Sequence, residues 1–179
     1  MVTKYGGRFQ DKDKGARAMA AVIYDSIHEL IATLARGQRV IGLDIGDKTI
    51  GVAISDPLFS LASPVKTIAR TKKFKAAVLE LQALISTEQV GGIIAGLPIS
   101  MNGTEGPRSQ ATRDLTRELV NQLDIPAAFW DERLSTSAIE KFLINEADMN
   151  RKRRKDVIDK MAAGYILQGA LDALDRPRL

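Results

Sequence analysis

The chain has no cysteine among its 179 residues and a single histidine, His28. Without cysteine there is no disulfide framework, no zinc-thiolate site and no thiol nucleophile. One histidine, in a segment expected to be peripheral, argues against a histidine-based triad and a multi-histidine metal site. Any metal would therefore be held by oxygen ligands, which suits Mg²⁺ or Mn²⁺. Aromatic residues make up 5%, and no aromatic nucleic-acid-reading signature is present. No apolar run approaches the length of a membrane span, and the N-terminus has no signal-peptide core. Neither sign of charge dominates: 26 Lys+Arg against 22 Asp+Glu gives a net +4 and a pI near 9.4. That balance is mildly basic and compatible with a polyanionic partner. The absences together suit a reducing cytoplasm. What is present, 45% hydrophobic and 27% charged residues, is ordinary for one globular domain with a full core.

One stretch organises the rest, Arg39 to Asp56. Val40, Ile41 and Leu43 form the short apolar run of a buried central strand, and Asp44 ends it. A carboxylate at the tip of a buried strand is costly unless something charged or hydrogen-bonded meets it. Gly46-Asp47-Lys48 is turn chemistry, and Ile50-Gly51-Val52-Ala53-Ile54 returns as a second strand.

Around this hairpin the chain reads in order. Residues 1–38 are expected to be an N-terminal extension: a start over 1–18 read as disordered or equally as a plain extension, after which Met19 could serve as a natural first residue, then a peripheral amphipathic helix over 19–36. Residues 39–175 are expected to form one domain. Ser60 to Ile68 is a third strand, placed at an edge by Pro64. Thr71 can cap a helix over 72–88. Gly91 to Pro98 is a strand, followed by a Gly-rich loop over 100–107 and a helix over about 108–123. Ile125 to Trp130 is the fifth strand, ending at Asp131-Glu132-Arg133. Ser137-Ala138-Ile139-Glu140 has capping-box spacing and opens another helix. A basic run, Arg151 to Lys155, precedes a last helix over 156–174. The expected fold is α/β: a five-stranded mixed sheet, three antiparallel strands plus two parallel to the first, with helices on both faces.

Ligands in such sheets sit at the carboxyl ends of the strands, where Asp44, Gly96 to Pro98 and Asp131-Glu132 all fall. On the last helix, at about 100° per residue, Asp159 shares a side with Ala162, Ala163, Ile166 and Ala170. Small neighbours let a helix approach a sheet and aim an acid inward. Carboxylates converging from separate elements repel one another, and a divalent cation relieves the repulsion.

These residues fall into four motifs: Asp44-Ile45-Gly46 with Gly51 to Asp56; Gly96-Leu97-Pro98 with Asn102 to Pro107; Asp131 to Thr136; and Asp159 to Ala163 with Ile166-Leu167-Gln168. In this order, over residues 39–174, they resemble the YqgF/RuvX family. The resemblance implies an RNase H-like fold related to Holliday-junction resolvases and a nuclease that matures the 5′ end of pre-16S rRNA. It implies metal-binding and catalytic roles for Asp44, for Asp159 and for one acid of the pair Asp131 and Glu132, with Glu132 favoured because Asp131 can hydrogen-bond locally. Thr49 stands where arginine is common in the family, so a basic contact beside the turn is missing, unless Lys48 supplies it.

Candidate phosphate contacts are Lys48, Arg108, Arg113, Arg133, Arg151, Arg153 and Arg154. Arg113 and Arg117 share a helix face and have local acids, Asp114 and Glu118, as alternative partners. Ser109 and Ser135 have no partner base and are not nucleophiles. The expected function is metal-dependent phosphodiester hydrolysis in structured RNA or branched DNA, by a monomer or homodimer. A non-catalytic nucleic-acid module and an actin-like phosphotransferase are the competing readings.

Overall fold

The computed structural model describes residues 22–70, 74–134 and 151–174. The expected segments at 1–18 and 137–143 and the cap at Thr71 lie outside them. Six strands form one sheet: β1 (Ile23–Tyr24), β2 (Arg39–Ile45), β3 (Thr49–Ser55), β4 (Ala62–Ala69), β5 (Val90–Leu97) and β6 (Ala127–Asp131), in the order β1-β6-β5-β2-β3-β4. The helices are α1 (Ile27–Ala32), α2 (Phe74–Glu88), α3 (Pro107–Leu123) and α4 (Arg151–Leu174). A 3₁₀ turn, Glu132–Leu134, follows β6. Among these residues no helix is long and apolar enough to cross a membrane.

The antiparallel meander β2-β3-β4 and the parallel neighbours β5 and β6 are as expected, and β4 lies at an edge. The count of five strands is corrected to six. Of the helix expected over 19–36, the described residues from 22 on form instead a two-residue strand and a short helix. Ile23-Tyr24 pairs in parallel with Ala127-Ala128, covering an edge of β6 that would otherwise present unpaired backbone. Two residues leave no period-2 pattern to read. The signal for the true helix start was Ser26 with Glu29 three residues on. The Ser26 hydroxyl accepts a hydrogen bond from the Glu29 backbone N–H at 3.2 Å. The last helix is also longer than expected, beginning at Arg151. Nothing between 151 and 156 breaks a helix, and Lys and Arg are good helix formers, so the basic run is helical rather than a preceding loop.

Alternation along the strands divides the core in two. Ile41, Leu43, Ile45, Val52, Ile54, Ile93 and Ala95 face α2 and α3, meeting Val78, Leu81, Leu115 and Leu119. Val40, Ala53, Ile94 and Ala128 face α1 and α4, meeting Leu30, Ala163, Leu167 and Leu171. The second face is a floor of small residues. A Cβ on Gly42 would come within 2.6 Å of Leu167 Cβ, so α4 lies nearly on the backbone of β2.

Candidate active site

Asp44 shares the α4 side of β2 with Val40 and Gly42, four and two residues behind it. Its partner across the antiparallel ladder is Gly51 of β3. A Cβ on Gly51 would lie 2.0 Å from the carbonyl oxygen of Asp159, so the α4 backbone rests on β3 where Asp44 ends. On the other flank, β5 is the parallel neighbour of β2. A Cβ on Gly96 of β5 would meet Glu132 Oε1 and Ile166 Cδ1, both at 2.6 Å. The Glu132 side chain therefore lies over the end of β5. The strand order β5-β2-β3 thus puts Asp44 in the middle, with Glu132 on one side and Asp159 on the other.

Electrostatics follow that line. Burial, then the charge of Asp159, push the Asp44 carboxyl up to about 6, against the pull of Arg108. Burial, then the charge of Asp44, push Glu132 up to about 7. Arg108 again opposes, and Asp131 adds to the rise. Asp44 is common to both couplings. Arg108, exposed at the start of α3, is the cation that faces both acids.

Asp131 is differently placed. Its carboxylate accepts two hydrogen bonds from Arg133 Nε, at 2.9 and 3.0 Å, one from Nη2 at 2.5 Å and one from the Arg133 backbone N–H at 3.0 Å. Those bonds hold its carboxyl below the usual carboxylate range. Asp131 orients Arg133, while Glu132 turns towards Asp44.

Among the described residues no three Asp, Glu or His side chains gather closely enough to hold one metal ion together. The linear arrangement accounts for this: the acids form two pairs with Asp44 shared. The donor chemistry nevertheless fits a hard divalent cation. Every acid is an oxygen donor, and the mutual repulsion that raises Asp44 and Glu132 is what a cation beside Asp44 would relieve.

The basic candidates divide. Lys48 is exposed in the turn that follows Asp44. Arg113 is committed elsewhere: it holds Glu105 with Nε and Nη2 at 2.8 and 2.5 Å and stacks over Phe129 at 4.7 Å. Its partner is thus neither local acid but a residue of the 100–107 loop, and it is Arg117 that pairs with Asp114. That loop is an ordered tongue: Ser100 N–H donates to Thr104 O, and Ile99 bridges Glu105. The Ser109 hydroxyl donates to Pro98 O, and so braces the tongue. Arg151, Arg153 and Arg154 lie in the first turn of α4 by their backbone.

Sequence reasoning named three further residues without seeing what they do. Gly51 and Gly96 matter because α4 and Glu132 lie against them, and no local pattern announces a partner 36 or more residues away. Thr49, noted only as a departure, donates its hydroxyl to Asp159 Oδ2 at 2.6 Å.

A family model described as RuvX, Holliday junction resolvase, matches residues 38–173. A protein of Rhodospirillum rubrum, provisionally named pre-16S rRNA nuclease, is 52% identical over 153 residues, covering 86% of this chain and 94% of its own. Its counterpart in Paramagnetospirillum magneticum, of the same provisional name, is 54% identical over 144 residues, 80% and 92% of the two chains. In structure, Thermus thermophilus RuvC in complex with a Holliday junction superposes with a TM-score of 0.50 at 10% identity, over 76% of this chain and 95% of that one. The α/β architecture is thus shared with RuvC, in keeping with an RNase H-like fold. With the family model matched over residues 38–173, from β2 into α4, and relatives above 50% identity along most of the chain, this protein belongs to the RuvX family.

Proposed function

We propose that this protein is a divalent-metal-dependent endonuclease, that its substrate is precursor 16S rRNA cut towards the 5′ end, and that it works in the cytoplasm. The observation that carries the reading is Asp44, half-buried between two further carboxylates at the carboxyl end of the sheet and raised to about 6 by loss of solvent and by Asp159. Acids held so far from their ordinary range cost the fold stability, and such groups cluster where chemistry is done. The names of the relatives support the substrate.

Asp44 with Asp159, and Asp44 with Glu132, are the residues that would hold Mg²⁺ or Mn²⁺. The cation supplies neutralisation of the negative charge on the phosphodiester and on the acids. Glu132, pushed up to about 7 by burial and by the charge of Asp44, is suited to accept on its carboxylate the proton of the water that attacks phosphorus. The bond from phosphorus to the 3′ oxygen breaks, leaving a 5′-phosphate and a 3′-hydroxyl. Arg108 faces the reacting phosphate with its guanidinium, while Lys48 is exposed at the same end for a flanking phosphate; Arg133, like Arg113, is held by an acid, here Asp131.

The test sets wild-type protein and Asp44→Asn against a pre-16S-like RNA, a four-way DNA junction and ATP, each with Mg²⁺, with Mn²⁺ and with chelator. RNA cleavage lost in chelator and in Asp44→Asn is the expected result. Cleavage of the junction alone transfers the activity to branched DNA. ATP turnover, or binding of nucleic acid with no cleavage, refutes the nuclease reading.

A further inference from the structure

Thr49 is the first residue of β3 and touches the site without being one of its acids. Its backbone is pinned from both sides. Gly46 N–H donates to Thr49 O at 2.9 Å, closing the turn. Arg70, just beyond β4, donates from its backbone N–H to Lys48 O at 2.7 Å and from Nη1 to Gly46 O at 2.6 Å. The turn is therefore braced on three carbonyls, and the Thr49 hydroxyl leaves it from a fixed point. A hydroxyl has one hydrogen to give, and this one goes to Asp159 Oδ2 at 2.6 Å, a short bond to a charged acceptor. Two residues on, Gly51 has the Asp159 carbonyl packed against its Cα. Asp159 is thus held twice by β3, through its backbone at Gly51 and its carboxylate at Thr49. Residue Gly51 is itself the cross-strand partner of Asp44.

We infer that Thr49 is a positioning residue: its hydroxyl fixes one oxygen of Asp159 so that the carboxylate is presented beside Asp44 for a divalent cation, with the brace formed by Arg70 behind it. An arginine at this position would offer a charge in place of a neutral donor. Threonine orients Asp159 while leaving the negative charge of the pair undiminished for the cation. The inference rests on the nuclease reading and adds a residue to it.

Five variants of the full chain test it: Thr49→Val, which keeps the shape and removes the donor, Thr49→Ser, which keeps the donor, Asp159→Asn, the double variant of Thr49→Val with Asp159→Asn, and Asp44→Asn. Binding of Mn²⁺ alone is measured by calorimetry, thermal midpoints are taken in chelator, and RNA cleavage is followed separately. Removing a residue that orients a metal ligand weakens affinity about 10–100-fold. Thr49→Val is expected to bind Mn²⁺ at least about 10-fold more weakly than wild type, and Thr49→Ser close to wild type. Adding Thr49→Val to Asp159→Asn is expected to change Mn²⁺ binding no further. Thr49→Val that binds Mn²⁺ like wild type but melts lower makes the bond a brace of the fold and overturns the inference. Equal loss in Thr49→Val and Thr49→Ser overturns it as well, since the donor would then not matter. If the wild type binds no Mn²⁺ and Asp44→Asn cleaves RNA normally, the carboxylate reading itself fails and takes this inference with it.

Discussion

Adding one methyl group at Gly51 should separate α4 from the sheet and dismantle the site. The new Cβ would stand 2.0 Å from the Asp159 carbonyl oxygen and 2.5 Å from its carbon. Real Cβ atoms essentially never come within 3.0 Å of such atoms, so the helix must withdraw by about 1 Å. Both obstructing atoms are backbone, and neither can rotate away. Withdrawal loosens Ala163, Leu167 and Leu171 from their places against Val40, Ala53 and Ile94. A gap of 0.5–1 Å forfeits roughly a quarter to a half of each contact's attraction, and overpacked cores lose about 1–3 kcal/mol, occasionally more. The expected cost of Gly51→Ala is about 3 kcal/mol, a large share of the roughly 5–15 kcal/mol that holds a domain together. With a urea slope of about 2 kcal/mol/M, the midpoint falls by about 1.5 M. RNA cleavage should fall in the molecules that remain folded, because Asp159 moves with the helix. Gly106→Ala is the control. A Cβ there meets nothing within 4 Å, and the change costs at most about 1 kcal/mol, for a poorer cap on α3. A Gly51→Ala protein with the wild-type midpoint and rate would refute the close approach on which the site is built.

Further outcomes follow from the same geometry. Gly96→Ala meets side-chain rather than backbone atoms, of Glu132 and Ile166, so it should lower the cleavage rate through Glu132 while costing less stability than Gly51→Ala, in paired rate and urea measurements. Asp44→Asn should stabilise the metal-free protein. Its folded carboxyl sits near 6 rather than 3.8, so the stability it contributes is full below about pH 4 and lost as pH rises through 6. The shift corresponds to at most about 3 kcal/mol, and about 1–2 kcal/mol after discounting for solvent. Urea melts in chelator should show Asn ahead by that amount near pH 8 and level near pH 4. A lead that persists in acid would contradict the assignment of its cause. Arg108→Ala should lower the slope of log affinity against log salt by roughly 0.7–0.9, whereas Arg113→Ala should leave it unchanged, because Arg113 is spent on Glu105 and Phe129. Equal slopes for the two variants would contradict this division.

Much of this protein is determined by local pattern. The apolar run of Val40 to Leu43, the turn at Gly46, the edge strand with Pro64 and the helices after β4 and β5 are set by periodicity and turn chemistry, which act over a few residues. That order already implies parallel crossovers and places Asp44 and Glu132 at one end of the sheet. The RuvX motifs were legible for the same reason, since each is a short run of residues. Tertiary structure alone decided the rest. The strand β1 is too short to carry a period and exists only because β6 offers it an edge. Asp131 and Glu132 are adjacent acids that the sequence ranks only by the local bonding open to Asp131; in the fold the Arg133 guanidinium claims Asp131 and the floor at Gly96 receives Glu132. Arg113 reads as a phosphate contact until the folded loop brings Glu105 to it. The central place of Asp44 depends on the order β5-β2-β3, and the seating of Asp159 depends on the absence of a side chain at Gly51, 108 residues earlier. Contacts at such separation leave no trace in local spacing, because close packing is a property of surfaces that meet only after the chain has folded.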